Sequence, residues 1–132
     1  MKKIFFIIWL CVLVVPLFAQ DPVEDRSRYQ YFDTINFQEG IKSITIYIKP
    51  DCGRCESVTK VLDDAVIPYT PIIIDNDSIN QILDKKFAEA VKITGIGWGM
   101  KYPVLEINGT LYYVIANHWD FTNKLKNFYC KE

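Results

Sequence analysis

From Ile41 to Ile48 the chain alternates apolar and polar positions (Ile-Lys-Ser-Ile-Thr-Ile-Tyr-Ile) and is rich in β-branched residues. This period-two pattern predicts a strand. Val58, Val61, Leu62 and Ala65 then recur at helical spacing and predict a helix near 53–66, which Ile67-Pro68 breaks. Tyr69 to Asp75, with Ile72-Ile73-Ile74, predicts a second strand. Its unbroken apolar run suits a central, parallel strand buried on both faces. Asp75-Asn76-Asp77-Ser78 supplies capping residues for a helix with Ile79, Ile82, Leu83, Phe87, Ala90 and Val91 on one face. Gly95, Gly97 and Gly99 end that helix and open a loop carrying Trp98. Asn108-Gly109 between two alternating apolar runs predicts a tight hairpin spanning Pro103 to Ile115. A last helix follows, capped near Asn117 and burying Phe121, Leu125 and Phe128, so the aromatic residues of 112–129 form hairpin and helix core. The order is β-α-β-α-β-β-α, an α/β domain without internal repeats.

The chain's N-terminus departs from this pattern. Met1-Lys2-Lys3 is positively charged, Ile4 to Phe18 is almost wholly apolar, and Leu17-Phe18-Ala19 ends on a small residue. Residues 1–19 are expected to be a signal peptide, too short for an ordinary membrane span. Retained uncleaved, the same segment would anchor the chain in a membrane. Trp9-Leu10 ahead of Cys11 is unlike the small residues of a lipoprotein site, so Cys11 leaves with the signal. Removing 19 residues from 132 leaves 113, enough for one small core. Residues 20–40, rich in charged and polar side chains, form a leader, with Tyr29, Tyr31, Phe32, Ile35 and Phe37 available to pack on the body.

Charge narrows the partners. The 15 basic side chains lose Lys2 and Lys3 to the signal, leaving 13 against 16 acidic ones, with no basic run. Nucleic acid is not an expected partner. The expected location is bacterial and exported, periplasmic or extracellular. Three cysteines remain there, Cys52, Cys55 and Cys130, and an odd number leaves at least one without an intramolecular partner.

Cys52-Gly53-Arg54-Cys55 sits where the first strand meets the first helix. A thiol at a helix N-terminus faces unpaired N–H groups and the positive end of the helix dipole, both of which favour thiolate. Thiols in such pairs titrate at about 3.5–7.5, below the ~8.5 of a free cysteine. Cys52 is the candidate nucleophile and Cys55 the residue that resolves the mixed disulfide. Arg54 is either a cation supporting the thiolate or a solvated turn residue. Gly53 leaves the loop pliant, and Lys49 is either a partner for an anionic group or a plain strand-end lysine. Zinc usually takes four ligands, and no second Cys-x-x-Cys pair is present, so no metal site is expected. Three readings compete: redox exchange, a static disulfide in a peptide-binding module, and a cysteine pair handling a soft ion such as copper(I). His118, the only histidine, reads as a surface residue at a helix start, and Cys130 as a bystander thiol.

The element order, the Cys-Gly-Arg-Cys motif and Tyr102-Pro103 before the third strand resemble the thioredoxin fold, and within it the glutaredoxin branch. The resemblance covers residues 41–130 within a domain taken as 41–132. It implies a four-stranded mixed sheet flanked by helices, and thiol–disulfide exchange on protein or small thiol substrates. It also implies a redox partner that recycles the cysteines, with no cofactor beyond the redox-active disulfide. A cis bond before Pro103 would let Tyr102 and Pro103 face the cysteines and bind substrate, with Trp98 and Met100 as an apolar rim. Lys49 matches a lysine common in glutaredoxins. The Gly-Gly pair with which glutaredoxins hold glutathione is replaced by Tyr112-Tyr113-Val114-Ile115-Ala116-Asn117, so the resemblance does not extend to glutathione dependence.

Overall fold

The computed structural model describes residues 29–94 and 99–131. Residues 1–19, expected to be a signal peptide, the expected leader as far as residue 28, and Gly95, Gly97 and Trp98 lie outside them. The predicted order holds: β1 (Ile44–Ile48), α1 (Gly53–Asp64), β2 (Thr70–Ile73), α2 (Asp77–Thr94), β3 (Val104–Ile107), β4 (Thr110–Tyr112) and α3 (His118–Tyr129), preceded by a 3-10 helix, Thr34–Phe37. The strands make one sheet in the order β2-β1-β3-β4. β1 and β2 are parallel, and the other pairs antiparallel. Among the described residues no helix is long and apolar enough to cross a membrane.

Strand alternation divides the interior in two. Ile44 and Ile46 of β1 and Leu105 and Ile107 of β3 pack with Val58 and Leu62 of α1 and Phe121 and Leu125 of α3. Tyr47 and Val104, on the other face, meet Leu83 of α2 together with Tyr113 and Val114. Burying each such side chain contributes roughly 1.5–3 kcal/mol, so β1 and β3, covered on both faces, anchor the domain. One polar cluster ties α2 to them. Tyr47 Oη donates to Glu106 at 2.7 Å and Lys86 Nζ lies 3.0 Å from the same carboxylate. Burial would raise the Glu106 pKa, but the two hydrogen bonds and the Lys86 charge hold it below the ordinary carboxylate value.

The chain before β1 joins the larger core. Phe37 is fully buried and Phe32 stacks on it at 5.1 Å, whereas Tyr31 and Ile35 stay exposed. Gln30 forms a parallel bridge with Ile115.

One expectation is corrected. β2 is parallel to β1 but lies at the sheet edge, with Thr70, Pro71 and Ile73 exposed. Pro71 has no N–H to give a second neighbour, which confines it to an edge. The apolar run buries mainly Ile74, just past the strand, and leaves Ile73 at 55% exposure. Ile82 of α2 is exposed as well, off the face that carries Leu83.

Helix α1 stops before Ile67-Pro68. The Val66 N–H reaches Asp63 O at 3.0 Å and the Ile67 N–H reaches Leu62 O at 2.9 Å, with Leu62 and Ile67 both in the core. This is the Schellman pairing, which requires a left-handed residue and usually employs glycine. Val66 fills it at φ 55° with its side chain 86% exposed. A β-branched residue is strained there and gains nothing from burial. Val66→Gly is therefore expected to stabilise the fold by about 1 kcal/mol in chemical denaturation. An unchanged or lower midpoint would show that the left-handed valine carries no strain.

Candidate active site

Strand β1 delivers the chain to the site. After Ile48 it turns through Lys49 and Pro50 and then Asp51, whose φ of 55° is tolerated by a short polar side chain. Cys52 follows as the N-cap of α1, extended at φ −104°, and its Sγ accepts the Cys55 N–H at 3.2 Å. Its carbonyl accepts from Glu56 at 3.1 Å, the first hydrogen bond of the helix. Cys52 and Cys55 form a disulfide with Cα atoms 5.2 Å apart. The two sulfurs are not equivalent: Cys52 is partly exposed, while Cys55 is 1% exposed. Gly53 opens α1, and a Cβ added there would meet nothing within 4 Å, so no close approach demands glycine.

The loop before β3 closes the other side. The Tyr102–Pro103 peptide bond is cis. The Arg54 guanidinium donates to the Tyr102 carbonyl at 3.4 Å, and Lys49 Nζ sits 4.4 Å from the centre of the Tyr102 ring. Lys49 and Arg54, which the sequence left with open roles, thus hold the two ends of one residue. Tyr102 ionises above the usual tyrosine value because it is partly buried and because Asp84 opposes a second negative charge.

His118, expected at the surface, is 6% exposed. It is the first residue of α3, behind the Asn117 cap, and its Nε2 lies 2.9 Å from the Pro103 carbonyl oxygen. A carbonyl can only accept, so Nε2 carries the proton. Burial pushes the imidazole pKa below its ordinary value; hydrogen bonds to the Pro103 and Lys101 backbone oppose this, and the nearby charges of Arg54 and Lys101 reinforce it. Only its place after an apolar run ending at Ala116 hinted at this, because the contact joins residues fifteen apart. Cys130 is exposed and free at the far end of α3, about 18 Å along the helix from His118. A cavity of about 700 Å³ opens beside the motif, bounded by Arg54 and Val61 of α1, Tyr102, and His118 and Trp119 of α3.

The low imidazole pKa has a definite sign in stability. Below about pH 6.5 the unfolded chain binds a proton before the folded one does. Stability from this group is complete above that value and drains as pH falls towards the folded pKa. His118→Phe is expected to remove that part of the acid limb and to cost about 1–3 kcal/mol at pH 7.5, because the Pro103 carbonyl loses its donor. Denaturation midpoints of both proteins between pH 5 and 8 test this; parallel curves would rule it out.

The glutaredoxin family model matches residues 44–112, more than half of the chain. The chain belongs to the glutaredoxin family and has its thioredoxin-like fold. No curated protein matches it.

Proposed function

We propose that this chain is an exported thiol–disulfide oxidoreductase of bacterial origin in which Cys52 attacks and Cys55 resolves. The observation that carries the assignment is the asymmetry of the pair. Cys52 is partly exposed at the N-terminus of α1 with an N–H already directed at its sulfur, whereas Cys55 is buried one turn in. A thiolate at Cys52 gains from that N–H and from the helix dipole, as nucleophilic cysteines require.

In the reducing direction the Cys52 thiolate attacks one sulfur of a substrate disulfide. That S–S bond breaks, and the departing sulfur leaves as thiolate and takes a proton. The Cys55 thiol then loses its proton and attacks Cys52 Sγ, releasing the second substrate thiol and closing the Cys52–Cys55 disulfide. Two electrons have moved to the substrate, and an external dithiol, or two monothiols, must return them. Oxidation runs the same steps backwards. Arg54 and Lys49 hold Tyr102, so the loop before Pro103 stands fixed beside the sulfurs, where an extended substrate adds its backbone.

Glutathione is not the reductant we favour. In the stretch that replaces the Gly-Gly pair, the N–H groups of Tyr113 and Val114 donate to the Gln30 side chain at 2.7 and 3.1 Å. The Val114 carbonyl and the Ala116 N–H pair with the Gln30 backbone, and the Tyr113 carbonyl accepts from Lys101 N at 2.8 Å. These internal bonds occupy the backbone that would have to grip a tripeptide.

Insulin reduction with a dithiol as electron donor tests the proposal. Wild type is expected to turn over, Cys52→Ser to fall to the uncatalysed rate, and Cys55→Ser to accumulate a mixed disulfide without turnover. Glutathione in place of the dithiol is expected to support only slow cycling. Equal activity in wild type and Cys52→Ser would end the enzymatic reading. Stoichiometric copper(I) retained by a protein without redox cycling would favour the metal-handling alternative. Purification from a bacterial periplasm with Gln20 as the first residue would establish export and cleavage.

A further inference from the structure

A leader that only carried the chain into the domain would need few fixed contacts, yet Gln30 is held through both its side chain and its main chain. The side chain donates to the Leu111 carbonyl at 3.2 Å and accepts from the Tyr113 and Val114 N–H groups at 2.7 and 3.1 Å. The Gln30 N–H donates to the Val114 carbonyl at 2.9 Å, and its carbonyl accepts from the Ala116 N–H at 3.2 Å. These bonds fix the stretch after β4, which itself ends at Tyr112. The other side of that stretch holds the loop before Pro103. The Tyr113 peptide gives its N–H to Gln30, and its carbonyl accepts from the Lys101 N–H at 2.8 Å. Bonds linked through one peptide polarise one another. The Tyr113 ring is itself fixed, edge to face with Phe87 of α2 at 5.0 Å. Lys101 is held a second time, with its Nζ 4.2 Å from the centre of the Tyr29 ring, where an aromatic face attracts an ammonium. Tyr29 and Gln30 thus reach both ends of Lys101, the residue before Tyr102 and its cis bond. Residues 29–30 and 113–116 lie outside 44–112, the stretch matched by the family model, so this clasp is a feature of the present chain.

We propose that Tyr29 and Gln30 are positioning residues for disulfide exchange, clasping Lys101 from the leader so that the backbone of the next residue, Tyr102, is held ready for an extended substrate. This role rests on the exchange reading above. Lys49 and Arg54 hold Tyr102, and His118 holds the Pro103 carbonyl, all from the body of the domain; the leader holds the residue before them. A loop fixed in advance loses less freedom when a polypeptide pairs with it. A small disulfide has no backbone to pair, and the Cys52 thiolate depends on the N–H groups at the start of α1. Loosening the clasp therefore separates two substrates that a partly unfolded protein would lose together.

Steady-state reduction of insulin and of hydroxyethyl disulfide, with a dithiol as donor, is compared in the full chain and in its Gln30→Ala variant. Gln30→Ala is expected to raise KM for insulin about fivefold, because the Tyr113 peptide loses its acceptor. The kcat with insulin and the rate with hydroxyethyl disulfide are expected to stay within about twofold of wild type. Amide hydrogen exchange at Lys101 is expected to quicken about tenfold, while that at Glu56 in α1 is unchanged. Tyr29→Leu, a milder change, is expected to raise the same KM about twofold, and Tyr29→Phe, which keeps the ring face, to leave it at the wild-type value. An unaltered insulin KM in Gln30→Ala, equal losses with both disulfides, or unaltered exchange at Lys101 would overturn the proposal. If Gln30→Ala does not fold, the Tyr29 variants decide, and equal KM values for Leu and Phe overturn it. A wild type that reduces neither disulfide sinks the exchange reading and this role with it. An active wild type with unaltered variants sinks the positioning role alone.

Discussion

The antiparallel pairing of β1 with β3 is the constraint on which the site depends. Ile44 lies opposite Ile107 and Tyr47 opposite Val104, so the end of β1 and the start of β3 meet at one edge of the domain. The cysteine motif follows β1 and Pro103 precedes β3, so this register alone brings together segments about fifty residues apart. A slip of one residue would turn Ile46 and Leu105 out of the core and carry Pro103 away from the cysteines. Asn108 guards against it. At φ 50° it makes the hairpin turn with Gly109, while its side chain accepts from Lys42 and Ser43 N–H groups at 2.7 and 3.2 Å and donates to Gly40. The turn is thereby fastened to the chain that enters β1.

Reactivity and stability compete at the start of α1. Good N-caps are Asn, Asp, Ser or Thr, whose oxygen accepts strongly from the first free N–H groups. Cys52 holds that position with sulfur, a weaker acceptor, at 3.2 Å from the Cys55 nitrogen. The cap is weaker, and the N–H groups are available for a charge on sulfur. The cost is borne by burial behind the motif, where Cys55, Val58 and Leu62 pack α1 onto the sheet. α3 shows the contrast: Asn117 caps it through a proper oxygen, accepting from Asp120 N–H at 3.0 Å.

Most of the fold was legible in the sequence because its signals are local. Alternation, helical spacing and Asn-Gly depend on neighbouring residues, and each marked an element that is present. The position of β2 was not legible, since Ile72-Ile73-Ile74 describes hydrophobicity without saying which strand pairs on which side. Pro71 was the overlooked clue. The motif and Tyr102-Pro103 stood out, but their supports did not. The contact of Lys49 with the Tyr102 ring and that of His118 with the Pro103 carbonyl join distant residues through the tertiary fold. A single histidine carries no pattern, and only the fold shows that it is buried. Phe37 was legible as a leader residue able to pack on the body, and the 3-10 helix carries it into the core.

Gln30 gives the site its individual character. β4 is only three residues long, and the chain beyond it would offer free backbone beside the motif. Gln30 closes that edge with both ends of its side chain, donating to Leu111 O at 3.2 Å and accepting from Tyr113 and Val114. A substrate approaching from this side meets satisfied amides, and satisfied amides discriminate poorly because any new bond must displace an old one. For the proposed exchange this leaves the loop before Pro103 as the backbone with which a substrate pairs. Arg54, between the cysteines, and Trp119 of α3 line the cleft beside that loop. Under the proposed exchange, the seal made by Gln30 on one side and the loop before Pro103 on the other give a substrate one direction of approach.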